Sequence, residues 1–408
     1  MKSVVQVFSV NLLSKLLLGV TGVLIIRFMP EIEYARYTLA LSIVSVFSQV
    51  LVSSFKRIYI IGCQRFKVVK VKNYSSLFLG LQLWIIFVVV IITLPFKGFV
   101  SEIYWFVVGL IVATCISEFA KTVVQQQLNF FRFSVIEIAR TLSFVFSFLY
   151  LLYFISYQLR SWQVLLIQTL AMLGVSFFAF SKNIDFNSFL KIRQSIRLAL
   201  ELVKGEYKYV FGYFFVFAFF SQVDVFILKA ISESVELATY GSAFRYYNLL
   251  LLGLGSVHTV LLPVVQRVES IGDLKSILAQ HKRMLLVFVP LVLLGAWLSK
   301  WIIPWIDMGK YPNAVIVFQI LALSAIVSFA FSPHSNLLMR FEDFKFLFIL
   351  ITLGLLVNVG LCVLLVPIVG AIGSAISTLI AFGSVNISIF WRSRKYRDRL
   401  IALPQNYS

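Results

Sequence analysis

Long apolar runs, separated by short polar stretches, follow one another along the whole chain. Most runs approach twenty residues, the length with which an α-helix crosses the hydrocarbon core of a bilayer. The pattern predicts an all-α polytopic membrane protein with about twelve transmembrane helices. The predicted segments are 4–28, 37–61, 77–96, 103–120, 133–155, 162–181, 209–229, 238–265, 284–306, 313–338, 344–367 and 369–391.

Basic residues concentrate in the polar stretches on one side of these segments. The chain has 36 Lys and Arg against 17 Asp and Glu, a net charge of +19. In a soluble protein this charge would suggest nucleic acid as a partner. Because 60% of the residues are hydrophobic and only 13% are charged, it indicates the positive-inside pattern instead. We expect both termini in the cytoplasm, no nucleic-acid partner, and a first apolar run that is retained as a helix.

One polar connection is longer than the others and separates two sets of six segments. We expect an N-terminal lobe at 1–181, a cytoplasmic linker at 182–208, a C-terminal lobe at 209–391 and a basic cytoplasmic tail at 392–408. Two sets of equal size suggest a duplicated bundle with parallel repeats, which is a common plan among transporters.

Ionisable residues inside the apolar runs are the first candidates for function, since such groups are costly in a membrane and face a partner or a wet cavity. The bases are Lys15, Arg27, Arg140 and Arg245, and the acids are Glu137 and Asp224. Asp224 and Arg245 flank one short polar turn, so we expect them at similar depth on neighbouring helices. Either they form an ion pair, or Asp224 carries a coupling proton or sodium ion while Arg245 faces a cavity.

Lys15 and Arg140 have different expected surroundings. Lys15 lies near mid-depth of the first segment, where its side chain cannot easily reach either surface, so we expect it to face water or an anion. Arg140 has Glu137 one turn before it, which favours a structural pair. Arg27, at the outer end of its segment, can simply extend to the surface.

Three stretches share their order and spacing with a known family. They are Asn11, Lys15, Gly19 and Arg27 with Glu33-Tyr34-Ala35-Arg36-Tyr37; Gln222-x-Asp224, Ala238-x-Tyr240-Gly241, Arg245 and Pro263; and Asn358 with Pro367-x-x-Gly370-x-x-Gly373-Ser374-Ala375. Together they resemble the polysaccharide-exporter branch of the multidrug/oligosaccharidyl-lipid/polysaccharide (MOP) flippase superfamily, and the O-antigen (Wzx) flippases in particular. Ala35 stands where the family's turn has glycine.

The resemblance implies two six-helix lobes around a central cavity that opens to alternate sides. It implies a flippase in the bacterial cytoplasmic (inner) membrane that moves an undecaprenyl-diphosphate-linked oligosaccharide, the repeat unit of O-antigen in lipopolysaccharide or of a similar surface polysaccharide. Membrane lipid, a polysaccharide polymerase and a chain-length regulator would be its other partners. A diphosphate needs cationic walls, which would come from Lys15, Arg245, Arg27 and Arg140.

Sugar contacts are the second requirement of such a cavity. The candidates are Tyr240, Tyr246, Asn11 and Asn248. Tyrosine rings can stack on sugar faces, but hydrogen bonding between helices explains the asparagines equally well.

Other classes of function fit the sequence less well. His258, His281 and His334 have no metal-ligand spacing, and no catalytic cluster or nucleotide motif accompanies them, so we expect no enzyme, metal or cofactor. A membrane-embedded polysaccharide polymerase is therefore disfavoured. A cation-coupled multidrug exporter, or an exporter of another lipid-linked precursor, is the alternative within the superfamily. A cavity for cationic drugs would favour acids, whereas the bases here outnumber the acids.

Overall fold

The computed structural model describes residues 2–53, 71–99, 101–126, 130–155, 159–180, 193–194, 197, 208–266, 268 and 270–402. This part of the chain contains twelve α-helices. They are α1 (Lys2–Phe28), α2 (Glu31–Ser48), α3 (Val71–Thr93), α4 (Tyr104–Gln126), α5 (Phe130–Tyr150), α6 (Ser161–Phe180), α7 (Lys208–Phe220), α8 (Val223–Ile231), α9 (Ser234–Gln266), α10 (Ile271–Asp307), α11 (Ala314–Arg340) and α12 (Phe344–Ala402). Single π-helical turns extend α2 through Ser53 and α5 through Ile155.

Each of the twelve predicted segments overlaps a helix in the described part of the chain, and residues 54–61 of the second segment lie outside it. The seventh segment is divided between α7 and α8, which are bent by 43° relative to each other. The last two segments together form α12, which changes direction at Val369 and Gly370. Among the described residues, six helices are long and apolar enough to cross a membrane, or seven if α7 and α8 count as one span. The all-α, polytopic fold expected from the sequence is confirmed.

Helix α10 shows why this fold requires a lipid environment. Only 17% of its most apolar stretch is buried within the protein. Leu286, Val287, Trp297 and Trp301 are all more than half exposed. Water would make such a surface very costly, whereas the hydrocarbon core of a membrane covers it without penalty. The chain is a multi-pass membrane protein.

The chain divides into two compact units, Met1–Ala218 and Phe219–Ser408. The division falls near the end of α7, about ten residues after the linker expected at 182–208. Nearly all of that linker lies outside the described residues, so the predicted lobe boundaries stay a prediction. The tail expected from residue 392 continues as helix to Ala402.

Each unit ties its early and late helices together with one glutamate. Glu33, in the first turn of α2, accepts hydrogen bonds at 2.7 Å from both the backbone nitrogen and the hydroxyl of Ser161, the first residue of α6. Glu236, in the first turn of α9, accepts a 2.7 Å hydrogen bond from the nitrogen of Ala371, where α12 resumes after its change of direction. A carboxylate at a helix N-terminus satisfies free N–H groups and complements the helix dipole.

The two glutamates belong to one repeated motif. Glu33-x-Ala-x-Tyr37 and Glu236-x-Ala-x-Tyr240 have the same spacing, and both stand at the start of a helix. The same contact therefore occurs once in each unit, which supports the parallel repeat expected from the sequence.

Asp343 fixes the far end of α12 to the short turn that follows α11. Its Oδ2 accepts hydrogen bonds from Arg392 Nε at 2.9 Å and from the Tyr396 hydroxyl at 2.6 Å. Burial opposes the charge on Asp343, but these two hydrogen bonds and the Arg392 charge outweigh it and hold the pKa of Asp343 below its ordinary value of 3.8. The last turns of α12 are thus anchored, within the second unit, to the turn between α11 and α12.

Candidate functional site

A break in the seventh predicted span creates a helix N-terminus inside the apolar region. Helix α7 ends at Phe220, and α8 begins at Val223 after two residues that turn. Asp224 lies in the first turn of α8, where an acid is favoured by the helix dipole. Discontinuous membrane helices of this kind are a recurrent way to build a binding site from backbone ends and side chains.

Four side chains donate to the carboxylate of Asp224. The hydroxyls of Thr378 and Tyr240 donate to Oδ2 at 2.7 and 2.9 Å. Asn358 Nδ2 lies 3.2 Å from Oδ1, and the thiol of Cys362 lies 3.4 Å from the same oxygen. The donors come from α9 and from both halves of α12, so three helical segments converge on the acid carried by α8. We call these five residues the Asp224 site.

The Asp224 site is closed and these four donors are all neutral. Asp224 is 2% exposed, and Tyr240, Asn358 and Cys362 have no exposed surface. A carboxylate so far from water is costly unless hydrogen bonds, a proton or a cation compensate its charge. The uptake of a coupling ion at Asp224 that the sequence suggested stays a prediction.

Arg245 does not belong to this set of donors. At 100° per residue, it lies about 140° around α9 from Tyr240, which is the residue of that helix that contacts Asp224. The ion pair with Arg245 that the short hairpin suggested is not among these four hydrogen bonds, and it stays a prediction. Arg245 itself is half-buried, and its role as a cavity cation stays a prediction.

A second buried acid, Asp307, was not recognised in the sequence. It is the last residue of α10 and is 1% exposed. The hydroxyls of Ser242 and Tyr246 donate to its two oxygens at 2.5 and 2.7 Å. These two residues are four apart on α9, so they share a face that differs from that of Tyr240. Helix α9 thus holds one acid on each of two faces.

Four charged residues form a closed network between α4 and α5. Lys121 Nζ lies 2.7 Å from Glu118 and 2.8 Å from Glu137, and the guanidinium of Arg140 lies 2.8 Å from both glutamates. The pair of Glu137 with Arg140 that the spacing suggested is present, within a network of two acids and two bases. Its charges cancel, so Arg140 is a poor candidate for a substrate anion.

Lys15 occupies the midpoint of α1, with 13 residues on either side. It is half-buried and has no hydrogen bond or ion pair with any described residue. Arg27 is half-buried near the end of the same helix and has an interaction within the protein. The side chain of Asn11 lies outside the described residues, and Asn248 is exposed. The binding roles suggested for these four residues stay predictions.

Tyr240 and Tyr246 are poorly placed for sugar contact. Tyr240 is fully buried and its hydroxyl is used by Asp224. Tyr246 is 8% exposed and its hydroxyl is used by Asp307. Both hydroxyls donate to buried acids in this structure, and the sugar contact suggested for the two tyrosines stays a prediction.

No metal-binding chemistry accompanies these clusters in the described ranges. The structure groups no three His, Cys, Asp or Glu side chains there in a way that could hold a metal ion. His281 instead contacts the carbonyl oxygen of Phe329 at 2.9 Å, and His334 contacts the hydroxyl of Ser393 at 2.9 Å.

Comparison with known proteins places the fold. No protein-family model matches the chain, and no curated protein matches it in sequence. Solved structures do match. The lipid II flippase MurJ, in an inward closed conformation, has a TM-score of 0.75 and 15% identity, over 96% of this chain and 89% of that one. An inward-facing multidrug resistance MATE family transporter of the MOP superfamily has a TM-score of 0.72 and 13% identity, over 96% of both chains.

A third structure, a MOP superfamily transporter from Pyrococcus furiosus, has a TM-score of 0.62 and 14% identity, over 98% of this chain and 95% of that one. Identities this low establish the fold and no more. The neighbours are transporters and flippases, and each match extends over nearly the whole chain. The chain therefore has the fold of MOP-superfamily transporters.

Proposed function

We propose that the protein is a flippase that moves an undecaprenyl-diphosphate-linked oligosaccharide across the bacterial cytoplasmic membrane by alternating access. The substrate would be a repeat unit of O-antigen or of a similar surface polysaccharide. The fold is shared with a lipid II flippase, and the motifs quoted above resemble the polysaccharide exporters. The observation that carries the choice of an anionic substrate is the position of Lys15.

The argument from Lys15 is electrostatic. Thirteen residues of helix separate it from either end of α1, which is about 20 Å. A lysine at this depth is costly unless water or an anion meets it. The diphosphate of a lipid-linked glycan is an anion that is equally costly to place in the hydrocarbon core. A compact ammonium group can pair with it from several directions. Each charge would lower the cost of the other during transfer.

Among the charged residues inside the apolar segments, the excess of bases over acids becomes smaller in the structure but remains. Arg140 is removed from the cationic set by its two glutamates, and Asp307 is added to the acids. Three bases then remain against two acids: Lys15, Arg27 and Arg245 against Asp224 and Asp307. The two buried acids are the observation that favours the alternative, a cation-coupled exporter of drugs or of another lipid-linked precursor.

Asp224 would supply the coupling in either case. We propose that a proton or a sodium ion binds at this carboxylate, because the site is closed, its donors are neutral and α8 begins there. Loading and release of this charge would shift α8 against α9 and α12. This part of the proposal leaves open which ion binds.

The proposed function is tested by substitutions at Lys15 in cells that make the glycan. Lys15→Ala should abolish most surface glycan and cause lipid-linked precursor to accumulate on the inner leaflet. Lys15→Arg should retain part of the export, since it keeps the charge. Lys229→Ala removes an exposed lysine near the end of α8 and serves as the matched control with near-normal export.

Protein level in the membrane must be measured for every variant, because a misfolded protein would also lose export. Normal surface glycan in Lys15→Ala at equal protein level would refute the cationic role. Loss of export without precursor accumulation would argue against a flippase. Neighbouring genes for glycosyltransferases, a polymerase and a chain-length regulator would support the proposed partners.

A further inference from the structure

A groove lies where the end of α12 passes the beginning of the same helix. It is lined by Phe346 from the first turns and by Ile387, Ser388, Trp391, Arg392 and Lys395 from the last turns, with a volume of about 570 Å³. We call it the α12 groove. Residues 387 and 391, and residues 388, 392 and 395, follow helical spacing, so the last turns present one continuous face to the groove.

The length of α12 puts this groove at a membrane surface. From residue 371 to residue 402 the helix has 32 residues, or about 48 Å, whereas the hydrocarbon core is about 30 Å thick. About ten residues must therefore project beyond the core. Trp391 is 63% exposed, and exposed tryptophan is typical of the membrane interface. Phe346 reaches the same surface because α12 crosses the membrane and returns.

Two cationic groups in the groove have donors to spare. Lys395 is exposed and forms no hydrogen bond or ion pair with any described residue. Arg392 uses its Nε on Asp343 and stacks at 4.9 Å over the ring of Phe346. Tyr396 also contacts the Arg392 side chain, which is 34% exposed and so keeps its charge accessible from the groove. Ser388 uses its hydroxyl hydrogen on the carbonyl of Ser384, so it can only accept.

The rest of the groove lining is apolar. Phe346, Ile387 and Trp391 supply it, and Ile387 is half exposed. A ligand that fills this groove needs an anionic group for Arg392 and Lys395 and an apolar part for the three other side chains. It must also be present at the depth where Trp391 lies.

We propose that the α12 groove binds the headgroup of an anionic phospholipid. The phosphate lies against Lys395 and the exposed part of the Arg392 guanidinium, and the glycerol and upper acyl chains lie against Ile387 and Trp391. Asp343 holds Arg392 in place through Nε and leaves the outer edge of the guanidinium to the phosphate, where a bidentate contact is favourable. This inference concerns a lipid bound at the surface and does not rest on the proposed transport substrate.

Other basic residues at the end of α12 are engaged differently and supply the control. The guanidinium of Arg394 lies 4.9 Å from the rings of both Phe390 and Trp391, and Arg394 does not line the groove. A general attraction of the basic helix end for anionic lipid would involve Arg394 as much as Lys395. Binding in the groove itself would depend on Lys395 and not on Arg394.

The test is lipid binding to the purified full-length protein in detergent, followed by native mass spectrometry. Dioleoylphosphatidylglycerol should bind more tightly than dioleoylphosphatidylcholine. Lys395→Gln should weaken phosphatidylglycerol binding about fivefold, the effect of losing one exposed ion pair with the phosphate. Arg394→Gln, with the same change of charge, should alter it less than about twofold, because Arg394 does not line the groove. Inorganic phosphate in excess should not displace the lipid, since it lacks the apolar part.

Three outcomes would overturn the proposal. They are equal binding of the two lipids, an equal loss in Arg394→Gln and Lys395→Gln, and displacement by inorganic phosphate. Lys395 is exposed, so its substitution leaves folding intact, and an unchanged unfolding temperature verifies this. As a second variant, Arg392→Lys keeps the positive charge but removes the paired N–H donors of the guanidinium. It should weaken lipid binding while the preference for phosphatidylglycerol remains.

Discussion

Gly370 is the position at which a single methyl group should do the most damage. Its φ of 56° and ψ of −133° belong to a region that essentially only glycine adopts. A Cβ there would also overlap the carboxyl group of Glu236. Glu236 cannot move away freely, because it accepts the backbone N–H of Ala371 at 2.7 Å. Gly370→Ala therefore strains the backbone and breaks the glutamate cap at once.

The magnitude follows from these two costs. Strain at a glycine-only conformation costs about 1–3 kcal/mol, and the loss of a helix cap costs about 0.5–2 kcal/mol. Together they give about 3 kcal/mol as a central value. For a unit of the size of Phe219–Ser408, each kcal/mol lowers the unfolding temperature by roughly 2–4 °C. We expect Gly370→Ala to unfold about 6–12 °C below the parent protein.

Thermal unfolding of the purified protein in detergent is the assay. Gly360→Ala and Gly383→Ala are matched controls on the same helix, because a Cβ at either position meets nothing within 4 Å. They should unfold at the same temperature or slightly above it, since alanine favours helix. In a Glu236→Ala background, Gly370→Ala should cost about 1 kcal/mol less, because the cap is already lost. An unchanged cost in that background, or no destabilisation at all, would show that the cap and the glycine are not coupled.

Three further predictions address orientation, the Asp224 site and the anchor of α12. Single cysteines at Asn73 and Asn187, in a cysteine-free background, should resist a membrane-impermeant maleimide in intact cells, because both positions are expected in the cytoplasm. Ready labelling of either cysteine would show that the expected orientation is wrong. The effects of Asp224→Asn and Arg245→Gln on the free energy of unfolding should be additive within about 0.5 kcal/mol. A larger coupling energy between the two substitutions would show that the two side chains form an ion pair. The stabilisation by Asp343 should be complete well above pH 3.8 and disappear as the pH falls through its lowered pKa. Unfolding of Asp343→Asn and of the parent from pH 7 to pH 2 measures this, and a difference between the two that stays constant below pH 3.8 would contradict it.

The pattern of apolar residues was sufficient for the helices and insufficient for their ends. Hydropathy started the ninth segment at 284, whereas α10 begins at Ile271. Its first turns are amphipathic, and Leu274, Ile277 and His281 share a buried face. Ser270 and Asp273 form a capping box there, a signal that the sequence contains. The break between α7 and α8 falls on two polar residues, Ser221 and Gln222, which are too few to end the surrounding apolar run in the hydropathy pattern.

The candidate site was half visible in the sequence. Asp224 stood out because an acid in an apolar run is rare, and Asn358 was part of a recognised motif. Thr378 and Cys362 are neutral and small, and the two are separated from Asp224 by 154 and 138 residues. Only the fold brings them together. Asp307 was missed because it ends its helix and reads as part of a loop.

The glutamate cap that occurs once in each unit has a consequence for how the protein could be divided. Glu33 and Ser161 lie on one side of the 182–208 connection, and Glu236 and Ala371 lie on the other. A chain cut within that connection would keep both caps intact. Two co-expressed polypeptides should therefore each retain the bond between an early and a late helix. A gene encoding a single six-helix chain, with one such glutamate, is the simplest ancestor from which fusion in tandem would produce this sequence.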